Sequence, residues 1–258
     1  MITELKDRVY IVTGGSKGFG LAIAKSLVAG GARVGLLSRN PDGLEQAVAE
    51  IGSDHAFGVA GNVAHREDLS AAFATIKTHY GRLDGLINNA GLARPNMVEN
   101  LVEEEVLMQV QTNFLGTVFC CQAAIPLLRD GDNPRIINIS SASAHHYDEM
   151  CHLSIYAATK AAVERFTRDL RSELQADAIG VTCIRPGAAF TSFAEGWDQD
   201  ALAAGFQAWS QVGANMDTGM EVQQVGDAVA YALAQPRGVA VDLLEIRPNI
   251  PMPKNLYN

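Results

Sequence analysis

Tyr156 and Lys160 stand four residues apart, in a stretch where Val163, Phe166, Leu170 and Leu174 recur at helical spacing. On a helix that separation puts both side chains on one face. A free tyrosine hydroxyl has a pKa near ~10 and is a poor acid or base at neutral pH. An ammonium beside it favours the phenolate and lowers that value. Together they form a proton-transfer device, Tyr156 giving or taking the proton and Lys160 tuning it. Thr13-Gly14-Gly15-Ser16-Lys17-Gly18-Phe19-Gly20 carries different chemistry. It follows an apolar run and opens a helical period. Glycines there let the backbone turn tightly and approach a pyrophosphate, which the positive end of a helix holds. The bland readings are a solvated helical pair and a simple turn.

A third group is His145, His146 and His152 with Asp148, Glu149 and Cys151. Their spacing matches no zinc signature, and no metal site is expected. A substrate contact by one of them and a bystander loop fit equally. The four cysteines, at 120, 121, 151 and 183, form no C-x-x-C. That usage suits a reducing, cytoplasmic compartment.

Short β-branched runs alternate with longer helical periods along the chain. Strands are expected at 9–12, 34–37, 55–60, 86–87, 136–139, 181–184 and 241–246. Helices are expected at 18–30, 41–51, 65–80, 103–129 and 154–176, with a final one before the last strand. Nearly all-apolar strands alternating with helices predict a parallel sheet covered on both faces. The fold class is therefore α/β: a single doubly wound Rossmann-type domain over residues 1–258, about seven-stranded. Residues 186–222 break the alternation and read as an insertion rich in Ala, Gly and aromatics.

A chain of 258 residues with 48% apolar content can bury a core unaided, and is not a disordered one. A net charge of −9 argues against nucleic-acid binding. Glu4, Lys6, Asp7 and Arg8 precede the first apolar run, so no signal peptide is expected. No uninterrupted apolar stretch suggests a membrane span.

The T-G-x-x-x-G-x-G turn resembles the cofactor loop of the classical short-chain dehydrogenase/reductase family, and the resemblance runs over nearly the whole chain. Asn88-Asn89-Ala90-Gly91 is similar to the family's segment after the fourth strand, and Pro186-Gly187 with Thr191 to its P-G-x-x-x-T. Asn113, Ser141, Tyr156 and Lys160 match its catalytic tetrad. The resemblance implies that Lys160 also holds the nicotinamide ribose, that Ser141 bonds the substrate oxygen and that Asn113 supports Lys160 through water and backbone carbonyls. Ser140 and Ser143 are neighbours of Ser141, and the gap from Ser141 to Tyr156 is 15 residues. The implied cofactor contacts are Gly14, Ser16, Lys17, Gly18, Phe19, Gly20, Ser38, Arg39, Asn62, Val63, Asn89, Ala90, Gly91, Tyr156, Lys160, Pro186, Gly187 and Thr191. Asn62-Val63 departs from the family's common Asp-Val.

The end of the second strand bears on the choice of cofactor. An NAD site places an acid there for the ribose hydroxyls, whereas an NADP site offers a cation to the 2′-phosphate. Here Ser38 takes the acid's position, Arg39 follows, and Lys17 is within reach, so NADP(H) is expected. The expected enzyme is a carbonyl reductase or alcohol dehydrogenase working on a small-molecule carbonyl or alcohol. A non-catalytic dinucleotide-sensing regulator and an imine reductase are the alternatives. An epimerase or dehydratase would need a longer C-terminal part.

Between Arg185 and Arg237 there is no Lys or Arg, but there are Glu195, Asp198, Asp200, Asp217, Glu221 and Asp227. Trp197, Trp209, Phe190, Phe193, Phe206, Met216 and Met220 share the stretch. By resemblance it closes over the substrate. Its charge disfavours anionic substrates, Arg94 being the one cation placed to compensate, and predicts a neutral or cationic, largely apolar ketone or alcohol. Surplus apolar residues Phe114, Val118, Phe119, Phe166 and Leu170 predict a homodimer or homotetramer. The tail with Pro248, Pro251 and Pro253 is expected over a neighbouring subunit.

Overall fold

The computed structural model describes residues 5–146, 151–212 and 218–253. Asp148, Glu149, Met216 and Asp217 lie outside the described residues. The chain runs β1 (Val9–Thr13), α1 (Gly18–Ala29), β2 (Arg33–Ser38), α2 (Pro41–Ile51), β3 (Ala56–Ala60), α3 (Arg66–Tyr80) and β4 (Gly85–Asn88). It continues with α4 (Glu103–Gln109), α5 (Gly116–Leu128), β5 (Arg135–Ile139), α6 (Ser154–Glu173), β6 (Gly180–Pro186), α7 (Gln199–Val212), α8 (Val222–Leu233) and β7 (Leu243–Ile246).

The seven strands form one all-parallel sheet in the order β3-β2-β1-β4-β5-β6-β7. Alternate residues of each strand feed opposite cores. Tyr10 and Val12 of β1 pack with Ile23 and Leu27 of α1, Leu44 of α2 and Val229 of α8. Val9 and Ile11 pack with Phe73 and Ile76 of α3, Cys120 and Cys121 of α5 and Leu170 of α6. Helices thus cover both faces. Strand order reverses between β1 and β4, and in such sheets ligands bind outside the carboxyl ends of the strands at that point.

Three expectations need correction. The helix expected over 103–129 is α4 and α5 joined by a π-helical turn, Val110–Leu115, and it ends at Leu128. One extra residue shifts the phase of the helix without changing its apolar composition, which is why the stretch reads as a single helix. The 186–222 insertion contains a regular helix, α7, that Ala and Gly content conceals. Leu170, counted as surplus apolar surface, is core, because α6 leans it onto the sheet beside Leu174. The described part of the tail also bonds to its own chain: the Ile250 carbonyl accepts from Thr218 N at 2.8 Å, and Pro248 lies against Gly187.

Candidate active site

The glycine turn sits at the strand-order reversal. Gly14 and Gly18 take φ of +64° and +54°, where a side chain would be strained. A Cβ on Gly20 would stand 2.1 Å from the Gly14 carbonyl oxygen, so only glycine lets α1 start there. The first turn of α1 holds no acid, and its N-cap, Lys17, makes no side-chain cap bond. The turn is tied to β2 and β4 from behind. Gly14 N donates to Leu37 O at 2.7 Å, and Thr13 Oγ1 accepts from Asn89 N and Ala90 N at 3.0 and 3.1 Å. Asn89 Nδ2 donates to Thr13 O at 3.0 Å. Asn89, Ala90 and Gly14 therefore converge.

At the end of β2, Ser16 Oγ and Ser38 Oγ lie 3.0 Å apart. Arg39 is exposed beside them and makes no ion pair among the described residues. Lys17 instead pairs with Glu195, a partner the sequence does not announce. The Asn62 side chain accepts from Ala64 N at 3.1 Å in the turn before α3, while Val63 is buried against Gly116. Those two residues thus form the strand-to-helix corner.

Asn113 is fully buried in the π-turn. Its Oδ1 accepts from Leu92 N at 2.9 Å, and its Nδ2 donates to Leu92 O at 2.8 Å and Thr159 Oγ1 at 3.0 Å. Thr159 Oγ1 in turn donates to the Tyr156 carbonyl at 2.7 Å. Asn113 therefore clamps the segment after Gly91 to the turn of α6 that carries Tyr156 and Lys160. Lys160 is buried, and its Nζ donates to Ile139 O at 2.8 Å. A Cβ on Gly91 would lie 3.3 Å from that Nζ and 3.4 Å from Asn113 Oδ1, so the three residues meet. Burial lowers the Lys160 pKa from 10.5 to about 8. Its Nζ stands 5.8 Å from the centre of the Tyr156 ring.

The structure separates the three serines. Ser140 is buried and turned inward: its Oγ donates to Lys160 O at 3.2 Å and Glu164 Oε1 at 2.8 Å. Ser141 points the other way, and its Oγ accepts from Ser143 Oγ at 2.9 Å. Behind Ser140 runs a chain of charges. Arg185 Nε and Nη2 donate to Glu164 at 2.8 and 2.6 Å, and its Nη1 donates to Glu245 at 2.7 Å. His146 Nε2 meets the other oxygen of Glu245 at 2.7 Å. Burial raises the Glu245 pKa, but Arg185 and His146 outweigh it and hold the carboxyl below its usual range.

Sequence reasoning passed over Thr159, Glu164, Arg185 and Glu245, and named Glu195 only as part of an acidic stretch. Arg185 left a signal: a lone charge in an otherwise apolar strand just before Pro186-Gly187 requires a buried partner. Among the described residues, no three His, Cys or carboxylate side chains gather as a metal-binding set. Nor does a helix reach the length and apolarity needed to cross a membrane.

Within residues 186–222, Phe193 approaches the tyrosine: its ring centre is 5.3 Å from that of Tyr156 and 5.6 Å from that of Trp197. Trp197 and Trp209 are buried, whereas Phe190 is exposed. Glu195, Asp198, Asp200, Glu221 and Asp227 all face solvent. Arg94 is held by Glu105 at 3.5 Å. A cavity of about 380 Å³, lined by Asn96, Met97, Glu99, His152 and Ser154 among others, opens two residues before Tyr156. His152, at φ +66°, contributes its carbonyl to Asn96 N at 2.9 Å.

Residues 8–202 match the family described as short chain dehydrogenase. An uncharacterized oxidoreductase of Staphylococcus aureus (strain USA300) is 31% identical over 247 residues, covering 96% of this chain and all of the relative. Among solved structures, a 3-ketoacyl-(acyl-carrier-protein) reductase from Brucella melitensis complexed with NADH superposes with a TM-score of 0.81 at 26% identity, over 95% of this chain and 98% of that one. Serine dehydrogenase from Escherichia coli gives 0.74 at 26%, over 92% and 96%. An alcohol dehydrogenase from the archaeon Thermococcus sibiricus, complexed with 5-hydroxy-NADP, shares the fold with a TM-score of 0.80 at 24% identity, over 95% and 98%.

Proposed function

The chain belongs to the short chain dehydrogenase family, and from that premise we propose an NADP(H)-dependent oxidoreductase acting on a ketone or secondary alcohol, with Tyr156 as general acid and base. The observation that carries this reading is the buried Lys160 amine, bonded to Ile139 O one helical turn from Tyr156. A buried lysine with no carboxylate partner is costly. Its position beside a tyrosine gives that cost a chemical return.

The residues suit a dinucleotide. The first turn of α1 contributes no acid of its own, Gly18 has open space where a Cβ would be, and Arg39, exposed next to Ser38, has no ion pair among the described residues. Gly14, Ser16, Gly18, Phe19 and Gly20 would hold the pyrophosphate and ribose, with Asn89, Ala90, Gly91, Pro186, Gly187 and Thr191 toward the nicotinamide. The bound cofactor supplies or accepts the hydride. Tyr156 donates its hydroxyl proton to the carbonyl oxygen in reduction and takes it back in oxidation. Lys160, as the ammonium, lowers the cost of the phenolate. Ser141 Oγ, oriented by Ser143, bonds the substrate oxygen. Asn113 holds Leu92 and Thr159 and so fixes the Tyr156 turn. Ser140 and Glu164 brace the strand end that presents Ser141.

Phe193 and Trp197 beside Tyr156 favour an apolar substrate, and the committed Arg94 leaves carboxylate-bearing substrates without a ready counter-ion. A neutral or cationic ketone or alcohol fits best. Single-domain organisation and assembly as a homodimer or homotetramer through the α5 and α6 faces belong to the same proposal. Phe114 and Phe166, edge to face at 6.3 Å, are partly exposed there.

Tyr156→Phe keeps the ring and removes the proton. Turnover is expected to fall by at least ~10³ with nucleotide affinity retained. Undiminished turnover would overturn the assignment. Catalytic efficiency with NADPH is expected to exceed that with NADH by about tenfold or more, since only NADPH carries the 2′-phosphate that Arg39 and Lys17 would meet. Steady-state rates with the two cofactors check it.

A further inference from the structure

Lys17 reaches the nucleotide end of the cleft already neutralised. Its ammonium pairs with Glu195, 178 positions away in sequence, and both side chains are about two-thirds exposed. That pairing draws the Glu195 carboxyl below its usual range. Glu195 lies two residues past Phe193, which touches Tyr156, and two before Trp197, which backs Phe193. Residues 193–197 therefore span the cleft from the tyrosine to the glycine turn. Glu195 is the one carboxylate of the 186–222 segment in an ion pair, among the described residues; Asp198 Oδ1 instead accepts from Ala201 N at 2.9 Å.

We propose that Glu195 is a specificity-determining residue for the nucleotide, a carboxylate that occupies Lys17 until a 2′-phosphate displaces it. This rests on the NADP(H) reading above. A phosphate carries up to two negative charges and three acceptor oxygens, against one charge and two oxygens for a carboxylate, so it wins the exchange. A nucleotide without the 2′-phosphate leaves the pair intact. Glu195 therefore taxes only the phosphorylated nucleotide. The tax is bounded by what an exposed ion pair is worth, about threefold to fivefold in affinity at low salt. Displacement also unties residues 193–197 from the glycine turn, while Phe193 keeps its contact with Tyr156. Recognition at the adenosine end is thereby linked to the cover over the tyrosine.

The test is calorimetric binding of adenosine 2′,5′-bisphosphate and of adenosine 5′-monophosphate to the full-length, cofactor-free protein, with no turnover involved. Glu195→Gln is expected to tighten the bisphosphate about threefold to fivefold and leave the monophosphate unchanged. In a Lys17→Ala background, which itself binds the bisphosphate more weakly, Glu195→Gln should add nothing. Equal tightening of both nucleotides, no tightening, or the same gain without Lys17 each overturn the proposal while the NADP(H) reading stands. A wild-type protein that binds both nucleotides equally overturns that reading, and this proposal with it.

Discussion

Lys160 and Arg135 are buried cations at opposite ends of one strand, and both answer to backbone carbonyls. Lys160 binds the carbonyl of Ile139, the last residue of β5. Arg135, the first, donates to Val239 O at 2.7 Å and to Gln235 O and Pro236 O at 2.9 Å each. Burial pulls both pKa values down. The lysine reaches about 8 and so lies within range of its own titration. The guanidinium starts so high that, even lowered, it keeps its proton at any ordinary pH. One end of the strand thus holds a charge that the protein can tune. The other holds a charge that never switches, and it staples the exit of α8 to the sheet. Equal burial serves chemistry or architecture according to whether the group can let go of its proton.

The largest effect expected from breaking this comparison is on turnover. Lys160→Met should lose about 10³ in kcat, because Tyr156 is left without its cation. The same variant should be the more stable protein near pH 7. Folded Lys160 titrates near 8 and unfolded lysine at 10.5, so keeping the proton on the buried amine costs the wild type about 3 kcal/mol below pH 8. Leaving Ile139 O unpaired returns about 1 kcal/mol, for a net gain near 2 kcal/mol. The wild-type penalty fades as pH rises from 8 to 10.5 and falls to about 1 kcal/mol near pH 10, so the order should invert there. Urea midpoints across that range decide it; a variant less stable at pH 7 would show that the burial cost is met elsewhere.

Arg135→Met should do the reverse. Three carbonyls lose their donor, and stability should fall by about 3 kcal/mol, while kcat of the folded fraction stays within about twofold. Denaturation paired with active-site titration separates the two. Arg135→Lys makes a finer cut. A lysine keeps the charge but cannot span Gln235, Pro236 and Val239 as a planar fork, so it should recover only about 1 kcal/mol of the loss. Full recovery would mean that charge, not geometry, holds the α8 exit.

Much of this frame was legible beforehand because it repeats along the chain. Val9–Thr13 followed by a glycine turn and Ile23 and Leu27 at helical spacing names a strand, a turn and a helix from local sequence. Tyr156 and Lys160 are likewise one turn apart, so their meeting follows from helix geometry. What escaped is held together across sequence. Nothing local joins Lys17 to Glu195, Ser140 to Glu164, or Arg185 to Glu245, and each pair forms only once the sheet order is set. The π-turn escaped for a different reason: an extra residue in a buried helix changes its phase without changing its composition. The helix α7 was hidden by alanines and glycines that also fill loops.

That π-turn has a bearing on which length changes the chain can survive. Each residue of an α-helix advances the next by about 100°. A single-codon deletion between Val110 and Leu115 would turn α4 and α5 into one regular helix and rotate the second half by that angle against the first. Asn113 could keep its grip on Leu92 and Thr159, or Cys120, Cys121, Ala124 and Leu128 could keep their seats against the sheet, but not both. Reading frames that drop a triplet there should therefore be purged, while triplets lost from the exposed turn around Asp130 and Gly131 leave both halves in phase.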